Sequence, residues 1–516
     1  MCSTNERWVL RAGDQRTLDD QAYALGMEQD ALMESAGTNA ARWIHERLRP
    51  HRVAVVAGPG GNGGDGLVVA RRLHEKGIDV QTAMLTRPTE CSPATQRMVG
   101  RLEDAGATPV RPMSDPAIEE WIARADCIVD ALFGSGLRRS LTGDAACIVE
   151  LMNMSKAKTI SLDVPSGLTS DDGAVIGMAI DAFVTLAMAF LKPAHLLYPA
   201  AAYCGNTALV DVEYPESVLR TAEPWARVCE CTGIKHRLPI RRPDGHKGTF
   251  GRVLIVAGSI GMSGAAILCG RGALRAGAGL VSLAVPASLA STVDTSLPEA
   301  ITIPVPDRDG RLDRIDDARL QRAMESADVL AIGPGLSQEP ETLNVIRALV
   351  DRFGGPIVLD ADGHYALGGQ GGALPRLAGR AVLTPHPGEF GMLVGALAED
   401  VDRSRRDHAG SFAAKHGVVL VLKGRPTAIG LPDGDIYLNP TGNDGLATGG
   451  SGDVLTGLIA GFIAGGSSLA DAALIGAYVH GLASEIYGRD RAPRSLIPSD
   501  LVELVPSALR EVEKCN

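Results

Sequence analysis

The residues best suited to chemistry gather in two glycine-rich stretches. The first, Gly58-Pro59-Gly60-Gly61-Asn62-Gly63-Gly64-Asp65-Gly66, follows the β-branched apolar run Val53–Ala57. It contains G-x-G-x-x-G at Gly58, Gly60 and Gly63. Such a turn brings backbone N–H groups and a helix N-terminus against a phosphate. A standard dinucleotide dehydrogenase also places an acid at the end of the next strand, to hold the ribose. Here that strand ends Met84-Leu85-Thr86-Arg87, so a standard NAD-dependent dehydrogenase is excluded. Two more apolar runs close on acids: Asp130, ahead of Gly134-Ser135-Gly136-Leu137, and Asp163, ahead of Pro165-Ser166-Gly167. In a parallel sheet the carboxyl ends of the strands share one rim, where ligands bind. Asn62, Asp130 and Ser166 would offer hard oxygen ligands to a cation there. Asp163 would be left as an acid or base. Capping of neighbouring helices is the simpler alternative for each aspartate taken alone.

The second stretch runs from Asn439 through Thr448-Gly449-Gly450-Ser451-Gly452-Asp453 into the apolar Val454-Leu455-Thr456-Gly457. Free amides at Gly450 to Asp453 would open a helix and form an anion hole. Asp453 would take the proton of a hydroxyl attacking a nucleotide phosphate. This is a phosphoryl-transfer constellation without a Walker A sequence; its structural alternative is a glycine-rich helix start with an ordinary first-turn acid. Lys423-Gly424-Arg425-Pro426-Thr427 follows a strand and can cradle nucleotide phosphates. His386, between two prolines in Thr384-Pro385-His386-Pro387-Gly388-Glu389, is a substrate candidate. Gly333-Pro334-Gly335 and the segment Gly258 to Ala265 end two further strands.

These groups need a scaffold that delivers strand ends to one rim. In the first half, Val53–Ala57, Val80–Leu85, Cys127–Ala131, Thr159–Asp163 and Ala208–Val212 read as strands. Gly66–Lys76, Ala94–Ala105, Ala117–Arg124 and Ala145–Met154 read as helices, with a helical stretch Leu25 to Leu48 ahead of them. Continuously apolar strands alternating with helices imply a parallel sheet covered on both faces. The second half repeats the style. Arg252–Ala257, Leu280–Val285, Asp328–Ile332, Ile357–Asp360, Ala381–Thr384 and Val418–Leu422 are expected strands. Ser263–Ala278, Thr342–Phe353, Asp402–His416 and Asp453–Ala464 are expected helices, and Thr427 to Tyr437 an antiparallel hairpin. Pro215 to Lys247 has no period and holds the basic run Arg237–Arg242. The domain boundary is expected there, giving domains 1–220 and 221–516, each large enough for its own core.

Composition bounds the function. The chain has 516 residues, 45% hydrophobic and 22% charged, with a net charge of −11. That balance excludes a disordered chain and disfavours nucleic acid, which needs a basic face. The nine cysteines are scattered and no second pair stands beside Cys229 and Cys231 at zinc spacing, so reduced thiols are expected. No run reaches a membrane span, and the first residues lack a signal peptide's apolar segment. Ala182 to Leu191 and Leu455 to Ala483 read as buried elements.

GNGGDG, DALFGSGL and SLDVPSGL together resemble the N-terminal domain of NAD(P)H-hydrate epimerases over roughly residues 10–215. HKGTFGRVLIVAGS, SGAA, IGPGL, LTPHPGE, VLKG and TGGSGDVLTG, in that order, resemble NAD(P)H-hydrate dehydratase, a ribokinase-like branch, over roughly residues 230–512. The resemblance implies two α/β domains, a Rossmann-like three-layer αβα domain followed by a ribokinase-like αβα domain. It implies that Gly61, Asn62, Gly63, Gly64, Asp65, Gly134, Ser135, Gly136, Leu137, Arg138, Arg139, Ser140 and Asp163 hold the hydrated dinucleotide. Asn62, Asp130 and Ser166 would then hold potassium. In the second domain Ala265, Gly335, His386 and Asp453 would bind the (6S)-hydrate. Lys423, Gly424, Arg425, Pro426, Thr427 and Gly452 would contact ADP or ATP, with Mg2+ accompanying it. Asp163 and Asp453 are the expected catalytic residues. A cytoplasmic homo-oligomer is implied as well. Two positions depart from the family pattern: Gly61 stands where Asn is usual, and Met262-Ser263 where Tyr-Thr is common. A small-molecule kinase of the same superfamily, or a nucleotide-sensing N-terminal module, are the alternatives.

Overall fold

The computed structural model describes residues 7–368 and 373–515. The chain divides into two compact units, one ending at Trp225 and the other starting at Ala226.

In the N-terminal unit seven strands form one parallel sheet. Their order is Arg111–Pro112, Asp79–Met84, Arg52–Ala57, Cys127–Ala131, Lys158–Leu162, Val184–Met188 and Asn206–Val210. Side chains alternate across each strand. Val53, Val55 and Ala57 pack into one apolar layer and Ala54 and Val56 into another, so both faces are covered. The chain order reverses between Arg52–Ala57, the first strand of this sheet in sequence, and Cys127–Ala131, which opens a crevice at their carboxyl ends. Gly58 sits in that crevice; a Cβ there would lie 1.8 Å from Leu132 O, so no larger residue fits.

The expected helix Gly66–Lys76 begins five residues early, at Gly61, and ends at His74. The glycine-rich segment is therefore helical first turn rather than loop. Close packing is the reason. A Cβ on Gly63 would meet Gly58 O at 1.8 Å, and one on Gly66 would meet Ala131 Cβ at 2.4 Å. The helical stretch expected from Leu25 to Leu48 is the single helix Gln29–Leu48, starting four residues late, and a further helix that was not expected, Ala12–Ala24, precedes it across Gly26 with φ +90°. The buried run Ala182 to Leu191 contains the strand Val184–Met188. The last expected strand lies two residues earlier, at Asn206–Val210.

The C-terminal unit is built on a larger mixed sheet. Ten of its strands run in the order Ala226–Val228, Ile436–Asn439, Thr427–Gly430, Val419–Leu422, Ala381–Leu383, Ile357–Leu359, Val329–Ile332, Arg252–Val256, Leu280–Pro286 and Ile301–Val305. From Val419–Leu422 to Ile301–Val305 all neighbours are parallel. The hairpin Thr427–Gly430 and Ile436–Asn439 is antiparallel, as its turn chemistry implies. Ala226–Val228 and Cys231–Arg237 give structure to the segment that lacked a period. The apolar stretch from Leu455 resolves into two helices, Ser451–Ala464 and Leu469–Asp490. The expected helix Asp402–His416 starts at Arg405, after a separate short helix Ala398–Arg403.

One helix pair positions the second glycine-rich stretch. Ser451–Ala464 lies against Ser263–Arg275 at a separation only glycine permits. A Cβ on Gly457 would fall 2.0 Å from Cys269 O, and one on Gly272 2.5 Å from Val454 O. Gly457→Ala must push the helices apart. We expect a loss of about 1–3 kcal/mol, the usual cost of overpacking, measured as a lower urea midpoint with an unchanged m-value.

Candidate active sites at the strand ends

In the N-terminal unit the candidate residues converge on the crevice. Asn62, in the first turn of Gly61–His74, has both amide atoms buried and without a partner among the described residues. Gly134 packs against it: a Cβ there would lie 3.2 Å from Asn62 Oδ1 and 3.3 Å from Asp163 Oδ2. Asn62, Gly134 and Asp163 thus border one space. Ser135 N–H donates to Asp163 Oδ2 at 3.3 Å. Asp65, one helical turn beyond Asn62, has its carboxyl pushed well above the usual range by burial and by Asp163 and Asp19.

Asp130 is fully buried and already saturated. Its oxygens accept from Ser161 Oγ at 2.8 Å, Ser166 N at 2.9 Å, Ser166 Oγ at 2.6 Å and Leu132 N at 3.3 Å. Ser161 reaches it because the two residues are register partners on adjacent strands. Burial raises the Asp130 carboxyl although these donors pull it down. Asp130 is bonded to Ser166, while Asn62 and Asp163 face each other across Gly134.

Asp163 is held from three directions. Its backbone takes φ +62°, a left-handed conformation uncommon outside glycine. His195 Nδ1 accepts Lys192 N–H at 2.9 Å, so its Nε2 carries the hydrogen given to Asp163 O at 2.7 Å. Burial and the Lys192 charge hold His195 at about 4, hence neutral. Lys192 is completely buried, and its Nζ donates to Asp163 Oδ1 at 2.7 Å and to Phe190 O at 3.0 Å. Burial alone would raise the Asp163 carboxyl; Lys192 outweighs it and the carboxyl lies below its usual value. Sequence reasoning missed Lys192 and His195. The only signal was that an apolar run stopped at Lys192-Pro193.

The C-terminal unit repeats the plan. Gly450 takes φ +96° and opens the helix Ser451–Ala464. The amides of Gly452 and Asp453, in its first turn, have no acceptor within the helix. His480 Nε2 donates to Ser451 O at 2.9 Å from the neighbouring helix. Asp360, which ends the strand Ile357–Leu359, accepts Thr456 Oγ1 at 2.8 Å and pairs with Lys423 Nζ at 3.0 Å. Gly452 faces this pair: a Cβ would lie 3.1 Å from Lys423 Nζ and 3.6 Å from Asp360 Oδ2. The Asp453 carboxyl is raised to about 7 by burial and by Asp360, against the pull of Lys423.

The remaining expected residues divide. Gly335, with φ +61°, stands 3.0 Å from Ala265 Cβ when given a Cβ of its own, so these two are neighbours. Lys423 turns to Asp360, while Thr427 Oγ1 closes the loop on Gly424 O at 3.0 Å. Pro426 O is bound by Arg405 Nη1 at 2.8 Å. His386 is the N-cap of Pro387–Val394, and its Nδ1 accepts Gly388 N–H at 3.0 Å, leaving Nε2 in an exposed ring. Asp360, His364 and Thr456 were not among the expected site residues. An acid closing an apolar strand was the available signal for Asp360; nothing in the sequence marked the other two.

Comparison with known proteins now bears on this geometry. Residues 29–194 match the family model described as YjeF-related protein N-terminus, and residues 253–507 that described as NAD(P)H-hydrate dehydratase. A bifunctional NAD(P)H-hydrate repair enzyme of Moorella thermoacetica is 36% identical over 491 residues, 94% of this chain and 93% of that one. Its counterpart in Thermofilum pendens is 36% identical over 512 residues, 98% of this chain and 97% of that one. The chain belongs to the bifunctional NAD(P)H-hydrate repair enzyme family. Among solved structures, the ADP/ATP-dependent NAD(P)H-hydrate dehydratase of Bacillus subtilis, co-crystallised with ATP and Mg2+, is 32% identical. It covers 55% of this chain and 98% of its own, with a TM-score of 0.47.

The Asp163–Lys192 pair predicts a pH signature. Asp163 has a lowered folded-state pKa, so it contributes stability above its unfolded value that is lost as pH falls through the folded one. Lys192→Met strands the carboxylate and should cost about 3–5 kcal/mol at neutral pH. Asp163→Asn added to it should recover part of that loss, as read by denaturant melts of the four proteins at two pH values.

Proposed function

We propose that this chain repairs hydrated NADH and NADPH, epimerising the hydrate in its N-terminal unit and dehydrating the (S) form in its C-terminal unit. The observation that carries it is Asp453, a partly buried carboxyl beside the open amides of its own helix and next to the Lys423–Asp360 pair. A base, an anion hole and a cation therefore meet at one helix start.

In the dehydratase half, Asp453 takes the proton of the C6 hydroxyl. The freed oxygen attacks the terminal phosphate of ADP or ATP, and the bond to the nucleotide's leaving phosphate breaks. The Gly452 and Asp453 amides stabilise charge on the transferring group. Phosphate then leaves C6 as the C5 proton is lost, and the C5=C6 double bond of the reduced ring returns. Lys423 and the loop to Thr427 orient the nucleotide, while Ala265, Gly335 and the exposed His386 edge receive the hydrate. Mg2+ would neutralise phosphate charge. Asp360 and Glu389 present hard, buried oxygens that suit it.

In the epimerase half, Asp163 is the ionised group held at the substrate, and Gly61 to Asp65 with Gly134 to Ser140 form its walls. Potassium fits the unpartnered carbonyl of Asn62. Asp130 serves it by fixing Ser166, since its own oxygens are engaged. A cytoplasmic homo-oligomer belongs to the same reading, supported by family resemblance.

Two measurements test it. Asp453→Asn should lower the rate of NADH recovery from the (S)-hydrate with nucleotide and Mg2+ by about 10²–10⁴-fold. Because the base must be ionised, kcat/KM should rise with pH through a value near 7 in the parent protein. Turnover by Asp453→Asn at the parental rate would sink the proposal.

A further inference from the structure

His364 is fully buried, yet neither ring nitrogen has a hydrogen-bond partner among the described residues. An imidazole so enclosed ordinarily finds one. It stands on the short helix Asp362–Tyr365, just past the end of the strand Ile357–Leu359. Its Nδ1 lies 3.7 Å from Glu389 Oε2. One ligand atom each from Asp360, His364 and Glu389 falls within 4.8 Å of the other two, and all three residues are buried.

We propose that Asp360, His364 and Glu389 form a divalent-cation site, and that its imidazole selects a first-row transition ion such as Mn2+ or Co2+ over Mg2+. Mg2+ demands an oxygen shell and parts with water reluctantly. A nitrogen ligand favours the transition series, with Co2+ bound more tightly than Mn2+. Lys423 holds the place of that ion in the cation-free chain. Its Nζ is 3.0 Å from Asp360 Oδ1 and 3.9 Å from Glu389 Oε2. A doubly charged ion cannot share both carboxylates with an ammonium, so Lys423 must turn away as the ion enters. The nucleotide phosphates expected over Gly452 give it a destination. The site rests on the dehydratase reading for its purpose, and on the three side chains alone for its existence.

The test uses the full-length protein without nucleotide or hydrate. Mn2+ is titrated in and the free ion followed by electron paramagnetic resonance, with Mg2+ as competitor and Co2+ absorption as a second readout. We expect one Mn2+ per chain, bound at least about ten-fold more tightly than Mg2+. His364→Leu should erase that preference while Mg2+ affinity stays within about two-fold. Lys423→Met should tighten Mn2+ binding about ten-fold, because the competing ammonium is gone. Circular dichroism and melting establish that each variant folds. Equal Mn2+ affinity in the parent and His364→Leu overturns the proposal, as does the lack of a site in both the parent and Lys423→Met. Either result would leave Mg2+-supported dehydration standing, whereas loss of dehydration with the ion still bound would count against the proposed function instead.

Discussion

A carboxylate that stays ionised while buried at the end of a parallel strand is held by a cation beside it, and each unit of this chain supplies one lysine for that purpose, whereas the buried Asp130 relies on hydroxyl and amide donors and is raised. Lys192 serves Asp163, and Lys423 serves Asp360. The other features of the two sites follow from these pairs. Asp163 can stay ionised out of water because a completely buried ammonium touches it. Asp453 is raised towards neutrality because the lysine near it is committed to Asp360, whose own charge adds to the push of burial. Removing water strengthens each of these fields, which is why so few charges are enough.

Glycine does the complementary work of letting backbone come close. Gly58, Gly63 and Gly66 bring a helix start against two strand ends in the first unit. Gly457 and Gly272 bring two helices together in the second, which holds the Gly452 amides over the Lys423–Asp360 pair. Neither helix start would point at its site with alanine in those places. The high glycine count is thus a packing requirement as much as a means of turning the chain.

The two units solve one problem with different parts. In the first, the anion-facing helix follows the first strand of the sheet directly, and the key acid lies two strands away. In the second, the helix comes late in the chain and packs across the sheet onto the strands' carboxyl ends. Exposed acids elsewhere on the chain set its net charge and take no part in either site.

Strand and helix positions were largely legible because apolar runs of five or six residues between glycines admit few other readings. The motif residues Asn62, Asp163, Lys423 and Asp453 could be named for the same reason: each ends or begins such a run. What escaped were boundaries and partners. The helix starts at Gly61 and not Gly66, its first turn packed against Gly58 O close by in sequence and against Ala131, which lies far along the chain. Lys192 was marked only as the end of an apolar run, and His195, His364 and Thr456 carry no local mark. Their roles exist only where folding places them against Asp163 and Asp360, since an ion pair or an orphaned ring is a property of surroundings rather than of residue order. The amino-acid order by itself determined which groups could do chemistry; the tertiary structure decided which are charged, which are neutral and which are held in place.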